Sequence, residues 1–150
     1  EDDGTIAARR TASMEYISNE ATDTHCIVVS DENRICVSFR GTLSLTNVAT
    51  DVDVRTMPLE KVVPLPFELA FWRSQAGRRA KRKTLPLRRE SQMWESARVH
   101  TGFGTAYQSV RMRVIQTVVR LFRQKPRVIV ITGHSLGGAL ATLFSLHLAS

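Results

Sequence analysis

The stretch Arg127-Val-Ile-Val-Ile-Thr-Gly-His-Ser-Leu-Gly-Gly-Ala-Leu-Ala141 decides how this chain folds. Its apolar, β-branched first half predicts a strand, and the small residues after Leu136 predict a helix. Between the two stands Gly133-His134-Ser135-Leu136-Gly137, a Gly-x-Ser-x-Gly pattern in the strand–turn–helix context of a nucleophile elbow. The glycines leave room where a strand reverses into a helix. We therefore predict a tight turn with Ser135 at its apex.

Ser135 is the candidate nucleophile in this turn. A serine held there in a strained backbone conformation keeps its hydroxyl clear of the sheet. The hydroxyl also lies at the first turn of a helix, whose N–H groups attract negative charge. The alternative interpretation is a glycine-rich turn in which the serine is incidental.

Length and composition indicate one soluble domain. The chain has 150 residues, of which 43% are hydrophobic and 23% charged. Its longest apolar stretch, residues 136–149, is interrupted by Ser145 and His147 and is too short to span a bilayer. The chain begins at Glu1 without the basic-then-apolar start of a signal peptide. We expect a processed protein, an excised domain or a fragment.

The net charge of +7 comes from one segment. Eight basic residues and no acidic ones lie between Arg73 and Arg89, and elsewhere the two signs nearly balance. We expect residues 72–92 to be an inserted loop that could attract an anionic membrane surface. A solvated loop that is open to phosphorylation is the alternative. Nucleic acid is not expected as a partner, since the segment lacks a stacking platform or a binding fold.

The spacing of apolar residues predicts the other elements. The expected elements are a short helix over Thr11–Asn19 with Met14 and Ile17 inward, a hairpin of His25–Ser30 and Arg34–Phe39, a long helix from Gly104 ended by Pro126, a strand over Arg127–Thr132 and a helix from Ser135. Residues 57–100 show no clear periodicity. The last strand is apolar on both faces, which favours a central, parallel position.

Two cysteines flank the predicted hairpin turn. If the loop is short, Cys36 lies opposite about residue 28 and not opposite Cys26. A disulfide requires close Cα atoms and converging Cβ atoms. We therefore expect two free, buried thiols, which argues against a disulfide-stabilised secreted domain. A membrane-associated intracellular location is favoured over a secreted one.

The predicted order of strand, helix and strand brings two turns together. Strand Arg34–Phe39, the long helix and strand Arg127–Thr132 form a crossover unit whose strands point the same way. Arg40-Gly41-Thr42 and Ser135 each follow the carboxyl end of a strand. They should meet in the crevice where α/β proteins place their chemistry.

These segments together resemble the class 3 lipase family. The similar segments, in family order, are Phe39-Arg40-Gly41-Thr42-Leu43-Ser44, Thr50-Asp51, Val99-His100-Thr101-Gly102-Phe103 and Gly133 to Ala141. The Arg-Gly-Thr-Leu-Ser segment is also similar to the sn-1 diacylglycerol lipase branch. The resemblance covers about Cys26 to Ser150 and leaves residues 72–92 unexplained.

The resemblance implies a partial α/β-hydrolase fold, with a mainly parallel sheet, crossover helices and a Ser–Asp–His triad. It implies that Thr42 and the backbone N–H of Leu136 form the oxyanion hole, although Thr42 could instead cap a strand end. It also implies that Leu43–Val54 is a lid over the site, where an ordinary surface helix is the alternative. No metal or organic cofactor is expected, because no ligand cluster has metal spacing.

The rest of the triad is not evident in this chain. In this fold the acid and then the histidine follow the serine, and no acidic residue follows Ser135. His147 lies roughly 18 Å along the same helix and cannot act as the base. His134 should point away from the serine, and His100 should be a structural hydrogen-bonding residue. Asp51 matches a family position but precedes the serine, so it is not assigned as the acid.

Two functions follow as hypotheses. The first is a serine carboxyl-ester hydrolase that acts on acylglycerol lipids, with a single lipase-like domain over residues 1–150 that stops after the nucleophile helix. The C-terminal strands would then be missing, and we expect an unpaired sheet edge and a large apolar surface. The second is a non-catalytic, hydrolase-like module that binds lipid or a protein partner through its basic loop.

Overall fold

Alternating β-branched and apolar residues build a four-stranded mixed sheet. The computed structural model describes residues 12–41, 55–63 and 96–149. The strands are β1 (Ser13–Asn19), β2 (Thr24–Ser30), β3 (Arg34–Phe39) and β6 (Val128–Gly133), in the order β1-β2-β3-β6. The pairs β1–β2 and β2–β3 are antiparallel, whereas β3–β6 is parallel.

Two helices pack on one face of this sheet. Helix α2 (Thr101–Gln124) connects to β6, and α3 (Leu136–Ala149) follows it. The core between helices and sheet includes Ile35, Val37 and Phe39 of β3 together with Val110, Val114, Val118, Leu140 and Phe144 of the helices. The rings of Phe39 and Phe144 meet edge to face at 5.8 Å, an arrangement that aromatic pairs prefer. This packing holds the end of β3 against α3, next to Ser135.

A small second sheet lies at the start of α2. Strands β4 (Thr56–Pro58) and β5 (Arg98–His100) pair antiparallel, and α1 (Leu59–Val62) follows β4. The sequence did not predict these elements, since three-residue strands are too short to show a period. Contacts distant in sequence define them, such as the 2.7 Å bond from Arg98 Nε to Thr56 Oγ1. The predicted insert at 72–92 lies outside the described residues.

The helix predicted over Thr11–Asn19 is wrong, because Ser13–Asn19 is strand β1. Ile17 is buried as expected, but Met14 is 68% exposed. The two residues have opposite positions in the two-residue period of a strand, so only one of them can face the core. Pairing with β2 makes residues 13–19 a strand, and the spacing of apolar residues in the sequence does not reveal that pairing.

The hairpin and both long helices are confirmed. Helix α2 begins three residues before the predicted Gly104, because the His100 ring accepts a hydrogen bond from the Gly102 N–H at 3.2 Å and caps the helix. The structural role predicted for His100 is therefore confirmed. Helix α2 ends at Gln124, shortly before Pro126.

Both cysteines are free, as predicted. Cys36 lies opposite Val29, one residue from the expected register, and it is only half-buried. Cys26 is buried, and burial raises the pKa of its thiol to about 12. The Cys26 thiol is therefore protonated, and a poor nucleophile, at neutral pH.

Strand β6 lies at the edge of the described sheet, so the second neighbour that a central position requires is not among the described residues. Its parallel pairing with β3 is as predicted. Val128 is 66% and Val130 39% exposed on the face away from the helices, which Met14 and Tyr16 of β1 share. Within the described ranges, the predicted unpaired edge is thus confirmed, and exposed apolar side chains lie on this face of the sheet. None of the described helices is both long and apolar enough to traverse a bilayer.

Arg127 joins the end of α2 to the hairpin turn. Its Nη1 donates to Ser30 Oγ at 3.0 Å and to the Asp31 carbonyl, and its Nη2 donates to the Leu121 carbonyl at 3.2 Å. We expect Arg127→Ala to lower the free energy of unfolding by about 2 kcal/mol, because half-buried acceptors lose a charged donor. Urea titration of the protein measures this loss.

The neighbouring exposed Lys125 provides the matched control. Only its backbone carbonyl accepts from Arg127, at 3.0 Å from Nε, and Lys125→Ala retains that carbonyl. We expect this variant to lie within about 0.5 kcal/mol of the wild type. Equal unfolding free energies for the two variants would contradict the role given to Arg127.

Candidate active site

The turn between β6 and α3 has the strained geometry that the sequence predicts. Strand β6 ends at Gly133, helix α3 begins at Leu136, and Ser135 lies between them with φ of 55°. Only one other described non-glycine residue, Asp23, has a positive φ. This left-handed conformation costs about 1–2 kcal/mol in a residue with a Cβ. Ser135 is exposed at the apex of the turn.

Two glycines make the turn sterically possible. A Cβ on Gly133 would lie 2.2 Å from the Gly137 carbonyl oxygen, and one on Gly137 would lie 2.2 Å from the Phe39 carbonyl oxygen. Both atoms belong to the backbone and cannot rotate away. The glycines of the motif therefore permit the close approach of β6, α3 and the end of β3.

The end of β3 meets the turn, as the predicted topology requires. Parallel pairing places Phe39 opposite Gly133, so Arg40 and Gly41 lie beside His134. A Cβ on Gly41 would be 2.6 Å from the His134 carbonyl oxygen. The predicted convergence of Arg40-Gly41 on the serine turn is confirmed. Thr42, the candidate oxyanion donor, lies outside the described residues.

Among the described residues, one backbone N–H in the first turn of α3 has no acceptor. The N–H of Gly137 donates to the His134 carbonyl at 2.9 Å, and those of Gly138 and Ala139 donate to the Ser135 carbonyl at 2.9 and 3.2 Å. The Leu136 N–H donates to none of the described residues. A donor directly after the candidate nucleophile is thus available at a helix N-terminus.

The described histidines lie in other hydrogen-bonded positions or beside the serine in sequence. His147 is buried and bonded to the Tyr107 hydroxyl at 3.0 Å, which gives it a structural partner in the core. His100 caps α2, and His25 bonds Asp23. His134 is exposed next to Ser135. Within the described ranges, no hydrogen bond joins the Ser135 side chain to a histidine. Asp51 and the proposed lid at 43–54 lie outside the described residues.

Sequence reasoning missed a polar cluster beside the candidate site. His25 Nε2 and Arg40 Nη2 each lie 2.8 Å from Asp23 Oδ1, and the Tyr16 hydroxyl bonds His25 Nδ1. The hydrogen bond from His25, together with the Arg40 charge, holds the pKa of Asp23 below its usual value. The cluster depends on the pairing of β1 with β2. It was missed because residues Thr11–Asn19 were predicted to form a helix, which would not pair with β2.

No metal site is evident in the part of the chain that the structure describes. Groups of three or more His, Cys, Asp or Glu side chains close enough to hold an ion do not occur there. Among the described residues, the polar groups at the turn include the Ser135 hydroxyl, the His134 side chain and the Leu136 N–H.

Known proteins with similar sequences are lipases. Residues 36–150 match the model of the family described as Lipase (class 3). Lipase A of Sodiomyces alcalophilus is 37% identical over 119 residues, which are 78% of this chain and 25% of that protein. Triacylglycerol lipase OBL1 of Ricinus communis is 30% identical over 151 residues, which are 88% of this chain and 28% of that protein. The chain spans about a quarter of the length of these relatives.

Solved lipase structures share the fold. A triacylglyceride lipase of Rhizomucor miehei superposes with a TM-score of 0.62 at 24% identity, over 91% of this chain and 41% of that one. A triacylglycerol lipase from Penicillium expansum gives 0.60 at 23% identity, over 90% of this chain and 43% of that one. The strand–elbow–helix unit and the mixed sheet are thus part of an α/β-hydrolase fold. With most of its length matched by the family model, the chain belongs to the class 3 lipase family.

Proposed function

We propose that this chain carries the nucleophile half of a carboxyl-ester hydrolase site that acts on acylglycerol lipids. The observation that carries the proposal is the exposed Ser135, strained at φ 55° between a strand end and a helix N-terminus. A turn of this kind presents a hydroxyl to a substrate while its own backbone supplies a donor. Relatives named as lipases support the substrate class.

The proposed reaction is a two-step acyl transfer. Ser135 Oγ attacks the ester carbonyl and its proton passes to a general base, which gives a tetrahedral oxyanion. The Leu136 N–H and Thr42 donate hydrogen bonds to that oxyanion. The carbon–oxygen bond to the alcohol then breaks, and the alcohol leaves with the proton. Water hydrolyses the acyl-serine and releases the fatty acid.

We propose that the general base and its acid lie outside these 150 residues. Three of the four histidines have structural partners, and His134 is held within the elbow itself. The relatives are about four times as long as the matched region, which leaves room for both residues. In this proposal, residues 1–150 are part of a single lipase-like domain interrupted by the basic insert at 72–92.

Hydrolysis by the full-length protein tests the proposal. We expect release of fatty acid from diacylglycerol or triacylglycerol emulsions, and a fall of at least about 1,000-fold in the Ser135→Ala variant. Thr142→Ala removes another exposed hydroxyl, on α3, and should leave the rate unchanged. A wild type that is folded but releases no fatty acid from any acylglycerol would favour the non-catalytic module.

We also propose that Arg73–Arg89 brings the protein to an anionic membrane surface on the intracellular side. The charge of the segment supports attraction of about 1 kcal/mol per cation near such a surface. The two free cysteines agree with a reducing compartment.

Replacing Arg73–Arg89 with a Gly/Ser segment of the same length tests the membrane proposal. We expect binding to phosphatidylserine vesicles to weaken at least about 10-fold, because eight cations are removed. Binding to neutral phosphatidylcholine vesicles serves as the control and should change little. Unchanged binding to phosphatidylserine vesicles would remove the proposal.

A further inference from the structure

The Asp23 cluster lies at the end of the sheet where β3 and β6 terminate, which is also the end that carries the serine turn. Asp23 occupies the turn between β1 and β2, and Arg40 directly follows β3. The Arg40 N–H donates to the His25 carbonyl at 2.9 Å, which extends the β2–β3 pairing by one residue beyond Phe39. The cluster therefore borders the two residues that approach His134.

Asp23 gathers this cluster through one carboxylate oxygen. Its Oδ1 accepts from Arg40 Nη2 at 2.8 Å and from His25 Nε2 at 2.8 Å. The Tyr16 ring stacks on the His25 ring at 5.8 Å, and its hydroxyl bonds Nδ1. His25 therefore contacts Asp23 through Nε2 and Tyr16 through Nδ1. The contacts with His25 of β2 and, through it, with Tyr16 of β1 thus fix the orientation of the Asp23 carboxylate.

Asp23 holds this position in an unusual backbone conformation. It has φ 45° and ψ 39°, which places it in the left-handed region. Asp and Asn tolerate that region better than most residues with a Cβ. Its own N–H donates to the Glu20 carbonyl at 3.2 Å and closes the turn. The carboxylate is thereby directed across β2 toward the end of β3.

We propose that Asp23 is a positioning residue that holds the Arg40-Gly41 turn against the nucleophile elbow. Arg40 is fixed at both its backbone N–H and its guanidinium, and the next residue, Gly41, has no free space toward the His134 carbonyl. Movement of Arg40 is therefore transmitted to the backbone that precedes Ser135. The inference rests on the proposed ester hydrolysis, which it deepens.

The ion pair between Asp23 and Arg40 should contribute little to the stability of the fold. The side chains of Asp23 and Arg40 are 57% and 53% exposed, and exposed pairs of this kind contribute little to folding. A displacement of the reacting groups by about 1 Å, by contrast, can lower a rate about 100-fold. The pair should therefore affect turnover much more than folding.

The test compares kinetics and thermal stability of variants of the full-length protein with p-nitrophenyl butyrate, a soluble ester. Asp23→Asn keeps a residue that tolerates the left-handed backbone but removes the charge. We expect kcat to fall about 10-fold with KM unchanged within about 2-fold, because the misplaced groups act in the transition state. Arg40→Gln should show the same split. The double variant should be no slower than the slower single variant, since both remove one contact.

Glu15→Gln is the matched control. It removes another exposed carboxylate–guanidinium pair of β1, the contact with Arg120 on α2, away from the elbow. We expect its kcat to equal that of the wild type, with a melting temperature close to that of Asp23→Asn.

The possible failures are distinguishable. A folded Asp23→Asn protein with wild-type kcat, or one that changes only KM, overturns the positioning role while the ester hydrolase proposal stands. Rate losses that multiply in the double variant overturn it as well. A wild type that hydrolyses no ester removes the proposed function, and this inference with it.

Discussion

Replacing Gly137 with alanine is expected to disrupt the elbow and abolish ester hydrolysis. The added Cβ would lie 2.2 Å from the Phe39 carbonyl oxygen and 3.0 Å from the Arg40 carbonyl carbon. Both are backbone atoms, so β3 and α3 must move apart. We expect a loss of about 3 kcal/mol or more in unfolding free energy, at the upper end of overpacking effects. Urea unfolding and ester turnover measure the two effects.

The next residue, Gly138, provides a matched control for this prediction. A Cβ there would lie 3.3 Å from its nearest neighbour, the Gly133 carbonyl oxygen, and alanine is the better helix former. We expect Gly138→Ala to unfold within about 1 kcal/mol of the wild type. If Gly137→Ala and Gly138→Ala were equally stable, the close approach of β3 to α3 would be contradicted.

Ser135→Gly is expected to be inactive yet more stable than Ser135→Ala. Both variants lose the hydroxyl, so each should lose at least about 1,000-fold in turnover. They differ in the Cβ, which is strained at φ 55°. Relief of this strain should exceed the extra entropy of an unfolded glycine and leave Ser135→Gly about 1 kcal/mol more stable than Ser135→Ala.

Thermal unfolding of the two inactive variants measures this difference without interference from activity. The wild type should resemble Ser135→Ala, because serine and alanine carry the same Cβ. A Ser135→Ala protein as stable as Ser135→Gly would mean that the turn stores no strain at this residue. The nucleophile would then lack the conformation that presents its hydroxyl.

Sequence predicts the centre of this molecule well because steric demand there leaves few residue choices. The turn requires Gly133 and Gly137, and the β-branched run before it predicts strand β6. Helix α2 repeats its apolar residues over 24 positions, which gives a clear period. These local signals sufficed to predict β3, α2, β6 and α3 and the convergence of Arg40-Gly41 on the serine turn.

The outer parts of the sheet were not predicted, because their structure depends on which strands pair with each other. Strand β1 carries Met14 and Ile17 at a spacing that a helix also allows, and only the ladder with β2 distinguishes the two. The same pairing creates the Asp23 contact with Arg40, which joins residues 17 positions apart. The position of β6 at the edge of the described sheet likewise depends on which other strands are present, and an apolar pattern alone does not report the neighbours of a strand.

Covalent labelling of Ser135 by a fluorophosphonate tests the central claim most directly. The full-length protein is treated with the probe at neutral pH, and the modified peptide is identified by mass spectrometry. Our account predicts a single adduct on Ser135, its loss in Ser135→Ala, and its loss on unfolding in urea, because only the folded elbow activates the hydroxyl. A folded protein with no adduct on Ser135, or with the adduct on another serine, would contradict it.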